Sequence, residues 1–158
     1  MLETARLLND LEFVPKRTVV FAAFDEMGGS EFVIFPALPT TRSDVWTVVI
    51  LDGVGAGEPI LARLEAGPGL ARVFDQSARR FGARIEELDE WRFFFISNSS
   101  RLRRGDPRPH DSYQGLVVTR PGDNLSGTPA DTLDHLDSKL LEEAGQAVAH
   151  FVMVLSSR

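Results

Sequence analysis

The chain has 158 residues, of which 43% are hydrophobic and 25% are charged, a composition typical of a globular protein with one domain of ordinary size. It contains no cysteine, so disulfides and thiolate metal sites are excluded, and any metal ion must be held by carboxylates and histidines. The net charge of -6 argues against nucleic acid as a partner.

No apolar run approaches the roughly 20 residues that a membrane helix needs. The amphipathic N-terminus carries an acidic residue early and has no basic start before an apolar block, so it is not a secretory signal. For the chain as given we expect no membrane span and a cytoplasmic location.

The first half of the chain mixes helix and strand patterns. Leu2–Phe13 has apolar residues at helical spacing, with Leu11 on the apolar face. The runs TVVFAAF and TVVIL are apolar on both faces, which is typical of central strands. We therefore predict strands over Thr18–Phe24 and Thr47–Leu51, with a short helix between them from about Ser30.

The second half continues the alternation. We predict a strand and turn within residues 58–69, a helix that ends at Gly82, a further apolar run over 91–98 and a short strand over 115–119. The last helix runs from about Ser138 to Leu155 and can be capped by Asp137 or Ser138. Its predicted buried stripe consists of Leu141, Ala144, Val148, Phe151, Val152 and Leu155.

This order of elements predicts the fold class. Strands that alternate with helices favour an α/β sandwich whose central sheet is mostly parallel or mixed and is flanked by helices in three layers. We find no internal repeat and no second domain, so residues 1–158 are expected to form a single domain.

Acidic residues follow two of the predicted strands. Asp25 and Glu26 follow FAAF, and Asp52 follows VVIL. Because ligands gather at the carboxyl ends of strands in open α/β sheets, these acids could share a metal ion or a proton. The alternative is that aspartate simply suits the turns that follow strands.

Four segments resemble the M28 zinc aminopeptidase family, in the family's order: ETARLL, PKRTVVFAAFDEMGGSEF, VVILDGVG and GTPADTLDHLDSKLLEEAGQAVAHFV. The stretch from about Gly55 to Arg120 matches poorly. The resemblance implies an M28-like fold. It also implies that Asp25 occupies the position of the general base, and that Glu26 and Asp52 occupy positions of zinc ligands.

The resemblance also shows departures at the metal site. The family binds two zinc ions through a His, a bridging Asp, a Glu, an Asp and a second His. The first His and the bridging Asp would lie before Met1, and the second His corresponds to Gly127. The sequence thus resembles an M28 domain that lacks the family's N-terminal strands and has a degenerate metal site, and we expect no bound cofactor.

The three histidines are the candidates to replace the missing zinc ligands. His135 and His150 are predicted to be surface residues. His110, in PHDSY, would approach Glu26 and Asp52 only if its loop folded back, and is otherwise a solvated loop residue.

Four arginines stand close together in RLRRGDPRPH. They either belong to a solvated loop or bind an anionic partner. The four residues are Arg101, Arg103, Arg104 and Arg108.

Three hypotheses follow, in order of preference. The first is a non-catalytic peptidase-like domain that serves in protein binding or assembly. The second is a zinc aminopeptidase whose site is completed in trans, and the third is a remodelled hydrolase with a single metal. Loss of the family's N-terminal strands would expose a sheet edge, so we expect a homo-oligomer or a protein partner that covers it.

Overall fold

A computed structural model describes residues 1–23, 44–66, 69–88 and 114–157 of the chain. The helices are α1 (Leu2–Asp10), α2 (Leu70–Arg80) and α3 (Ser138–Ser156). The strands are β1 (Thr47–Leu51), β2 (Leu61–Ala66), β3 (Ile85–Glu87) and β4 (Gln114–Thr119). A 3₁₀ turn over Leu133–His135 precedes α3.

The four strands form one mixed sheet in the order β1-β4-β2-β3. β1 runs parallel to β4, with Leu51 opposite Val118, and β3 runs parallel to β2. β2 and β4 are antiparallel, with Leu64 opposite Val117. The predicted strand over Thr47–Leu51 is confirmed.

One face of the sheet packs against α2 and α3 and forms the main core. Phe74 of α2 and Phe151 of α3 are completely buried there and meet edge to face, with their ring centroids 5.5 Å apart. Leu116 and Val118 of β4 belong to the same cluster. Burial of each large apolar side chain contributes about 1.5–3 kcal/mol, so this cluster is the principal source of the fold's stability.

The opposite face of the sheet is also buried. Ala62, Leu88 and Val117 form a second apolar cluster there, at 0%, 2% and 0% exposure. A sheet that is buried on both faces is what an α/β sandwich requires, and the predicted fold class is confirmed.

The predicted strand over Thr18–Phe24 is wrong for the residues that the structure describes. Residues 18–23 form no strand, and residue 24 lies outside the described ranges. Val20 and Phe21 are 46% and 36% exposed. The apolar pattern misled because an apolar run becomes a strand only where a neighbouring strand accepts its hydrogen bonds. The chain just before it is held differently, with the guanidinium of Arg17 4.6 Å from the ring centroid of Trp46.

Two leucines differ from their predicted burial. Leu11 lies beyond the end of α1 and is 61% exposed, because the helix stops at Asp10 and Glu12 takes a positive φ of 50°. Leu141 is 46% exposed, because the buried face of α3 begins one turn later at Ala144. The rest of the predicted stripe lies in or against the core.

The last helix itself begins and ends within a residue of its predicted bounds. The helix predicted from about Ser30 and the apolar run over 91–98 lie outside the described residues. None of the helices in the described ranges has the length and apolar content needed to cross a membrane.

Candidate functional site at the ends of β1 and β4

The candidate site lies where β1 and β4 end side by side. These strands are parallel neighbours, so the residues that follow them leave the sheet at the same edge. Asp52 follows β1, is half-buried, and donates its backbone N–H to the carbonyl of Val118 at 3.0 Å. The position that the resemblance assigns to a zinc ligand is therefore at the carboxyl end of a strand, as predicted.

The loop that follows Asp52 packs directly against the turn that follows β4. Glu58 donates its N–H to the carbonyl of Pro121 at 2.7 Å. Gly57 has a φ of +97°, and a Cβ at this position would clash with the Pro121 carbonyl oxygen. Only glycine fits both the backbone conformation and the close approach.

The side chain of Arg120 links the elements at this edge of the sheet through hydrogen bonds. This side chain is fully buried, and its Nε donates to the carbonyl of Val54 at 2.8 Å. Nη2 donates to the carbonyl of Leu140 at 2.9 Å and to Oε1 of Glu143 at 2.8 Å. One guanidinium thus joins β4, the loop after β1 and the first turns of α3.

Sequence reasoning did not identify Arg120. An arginine directly after an apolar strand resembles a residue that turns toward solvent, and nothing in its neighbours indicates burial. The available signal is Glu143 early in the last helix, but an acidic residue there by itself indicates only a favourable charge near a helix N-terminus.

The segment between β4 and α3 is a turn that its own hydrogen bonds support. Asp123 accepts the N–H groups of Leu125 and Ser126 at 3.1 and 3.2 Å. Thr128 donates its hydroxyl to the carbonyl of Leu125 at 2.7 Å. These bonds give the Thr-Pro-Ala-Asp-Thr turn a structural role.

Gly127 sits inside this turn in the left-handed region, with a φ of +75°. Its N–H donates to Oδ2 of Asp131 at 3.1 Å. A Cβ at Gly127 would meet no atom within 4 Å, so the turn has room for a side chain at this position and its constraint is the backbone conformation.

Asp137 joins the turn to the last helix and to the loop after β1. Its carboxylate accepts the N–H groups of Lys139 and Leu140 at 2.8 and 3.4 Å, which confirms its predicted role as the N-cap. Its own N–H donates to the carbonyl of Gly55 at 2.9 Å.

Most of the other predicted site residues lie outside the described ranges. These are Asp25, Glu26, His110, Arg101, Arg103, Arg104 and Arg108. Within residues 1–23, 44–66, 69–88 and 114–157, no group of three or more histidines and acids lies close enough together to hold a metal ion.

The two remaining histidines differ from each other. His135 is exposed, as predicted. His150 was predicted at the surface and is only partly exposed, with its Nδ1 3.0 Å from the buried hydroxyl of Ser77 and its ring against Phe81. The prediction was wrong because α2 packs along α3 and covers the flank that carries His150.

Comparison with known proteins places the chain in a family. No curated protein matches the chain. The sequence matches the family model described as Peptidase family M28 over residues 1–152. Since this match covers nearly the whole sequence, the chain belongs to peptidase family M28.

Proposed function

We propose that the chain is a non-catalytic member of peptidase family M28 that serves in protein binding or assembly. The observation that carries the proposal is Gly127, which stands where the resemblance places the last zinc-binding histidine. Glycine has no side chain, so this position supplies no ligand to a metal ion.

The geometry of the turn supports this interpretation. The N–H of Gly127 donates to Asp131 and the hydroxyl of Thr128 donates to the carbonyl of Leu125, so local hydrogen bonds support the turn. Its φ of +75° disfavours a side chain, with a cost of roughly 1–2 kcal/mol for an L-residue.

The chain offers two carboxylates at family ligand positions. Glu26 and Asp52 stand there, and neither supplies the imidazole nitrogen that zinc sites commonly include. Asp25, at the position of the general base, is one methylene shorter than the family's glutamate, and a displacement of about 1 Å at a reacting centre can lower the rate about 10²-fold.

Zinc binding tests the proposal directly. We expect no stoichiometric zinc on the purified chain by elemental analysis or titration calorimetry. The variant Gly127→His should also fail to hydrolyse amino-acid anilides, and Gly127→Ala is its control for backbone strain without a ligand. One or two zinc ions per chain, lost on Glu26→Gln, would contradict the proposal and favour a remodelled hydrolase.

For assembly we propose a homodimer or a complex with another protein. Within the described ranges β1 is the terminal strand of the sheet, next to β4 alone. A terminal strand offers backbone donors and acceptors to a further strand, and two-fold pairing is the commonest closed solution. Light scattering at micromolar concentration that gave a monomer mass, with no partner in a pull-down, would count against it.

A further inference from the structure

Three leucines near the start of α3 are exposed to solvent. Leu133 is 83% exposed, Leu136 is 47% exposed and Leu141 is 46% exposed. We call Leu133, Leu136 and Leu141 the leucine strip. Exposed apolar side chains scattered singly are normal, but a contiguous group marks an interaction surface.

The leucine strip is contiguous. Leu133 and Leu136 lie three residues apart around a 3₁₀ turn, where side chains at this spacing stand above one another. A Cβ at Gly55 would lie 3.1 Å from Cδ2 of Leu136 and 3.1 Å from Cδ1 of Leu141. Leu136 and Leu141 therefore both lie over Gly55.

The backbone that carries the leucine strip is fixed before any partner binds. Asp137 caps α3 and donates its N–H to the carbonyl of Gly55, which is buried beneath the strip. Arg120 holds the first turns of α3 from the inside through the carbonyl of Leu140. A preformed surface loses little conformational freedom on binding, so more of the contact energy appears as affinity.

Charge around the leucine strip selects the partner. Residues 121–146 contain six acidic residues and one lysine, and five of the acids remain when Glu143, which pairs with the buried Arg120, is set aside. Asp131, Asp134, Asp137 and Glu142 are exposed beside the strip. A surface of this kind attracts a positively charged partner and repels an anionic one.

We propose that the leucine strip docks a short amphipathic segment of a partner protein, with large apolar side chains on one face and lysines or arginines beside them. This inference rests on the proposed binding function and names the surface that performs it. Apolar side chains of the partner cover the three leucines, and its cations face Asp134 and its acidic neighbours. In this mode of peptide recognition, an amphipathic segment binds a hydrophobic surface through its apolar face.

The test uses the full chain and a fluorescein-labelled peptide of leucine and lysine at helical spacing, with a scrambled peptide of the same composition as the reference. Leu133→Asp should weaken binding by about tenfold or more, because it removes an apolar contact and places a carboxylate against the partner's apolar face, where it loses its hydration. Leu2→Asp is the matched control, since Leu2 is 87% exposed at the other end of the chain and should bind as the unmodified protein does. Asp134→Lys should weaken binding and flatten its dependence on salt.

Equal binding of the two peptides, or equal loss in Leu133→Asp and Leu2→Asp, would overturn the proposal. A dimer of the unmodified chain that Leu133→Asp alone dissociates would also overturn it, because the occupant would then be a second copy. Aminopeptidase turnover is measured on the same samples. Turnover would refute the non-catalytic function, whereas absent turnover with no peptide binding would refute the docking surface alone.

Discussion

Replacing Arg120 with methionine should strongly destabilise the fold. The substitution keeps a long side chain but removes the charge and every donor of the guanidinium. Three carbonyl groups and the carboxylate of Glu143 then lose the donor that they share. The loop after β1 and the start of α3 lose their common attachment.

The magnitude follows from burial. Removing one partner of a buried ion pair costs about 3–5 kcal/mol. Arg120 is completely buried, whereas the side chain of Glu143 is 28% exposed and can be partly solvated after the change. We therefore expect the lower end, about 3 kcal/mol, which is a large part of a typical free energy of unfolding of about 5–15 kcal/mol.

Urea unfolding followed by circular dichroism measures this change. For a slope of about 2 kcal/mol/M, the midpoint of Arg120→Met should fall by about 1.5 M. Arg6→Met is the matched control, because Arg6 also pairs with two carboxylates, Glu3 and Asp10, but all three side chains are about half exposed. Surface ion pairs contribute little, so the control should leave the midpoint nearly unchanged.

A urea midpoint that moves no further in Arg120→Met than in Arg6→Met would refute this prediction. The guanidinium would then not hold this edge of the sheet together. A second variant, Glu143→Gln, keeps an oxygen acceptor for Arg120 but leaves the fully buried guanidinium without its counter-charge, so it should also lower the midpoint clearly more than Arg6→Met does.

Three further outcomes are expected. Gly57→Ala should lower the free energy of unfolding by several kcal/mol, because its Cβ clashes with the Pro121 carbonyl at a φ of +97°, and unchanged urea stability would contradict this. Gly145→Ala should raise it by about 0.5–1 kcal/mol, because the position is in a helix with open space for a methyl group, and a loss of stability would show a contact that we have missed. The hydrogen bond from Arg6 lowers the pKa of Glu3. The small stabilisation from this ion pair is therefore present above the ordinary pKa of glutamate and is lost as the pH falls through the lowered pKa of Glu3. NMR titration of Glu3 should show the lowered pKa, and the pKa should rise in Arg6→Met.

The sequence predicted the elements whose patterns are long or buried on one side. The last helix was placed within a residue at each end because its cap, Asp137, and its apolar stripe agree. β1 was placed correctly because its continuous apolar run pairs with β4 and packs, partly buried, against the apolar clusters on the two faces of the sheet. β3 was not predicted, since its three residues are too short to show a period.

Other features of the site depend on tertiary contacts that no local pattern reveals. The run TVVFAAF resembles TVVIL, yet its described part forms no strand, because pairing depends on a neighbour rather than on the run itself. The burial of Arg120 depends on carbonyls 20 to 66 residues away in the chain. The turn at Gly127, by contrast, depends on local hydrogen bonds.

The measurement that tests the central claim most directly is hydrolysis of amino-acid anilides by the unmodified chain with zinc or cobalt added. We predict no turnover above the buffer, because Gly127 supplies no ligand where the family has its last zinc-binding histidine. Metal-dependent turnover that Asp25→Asn abolishes would contradict it and would identify the chain as a working M28 hydrolase.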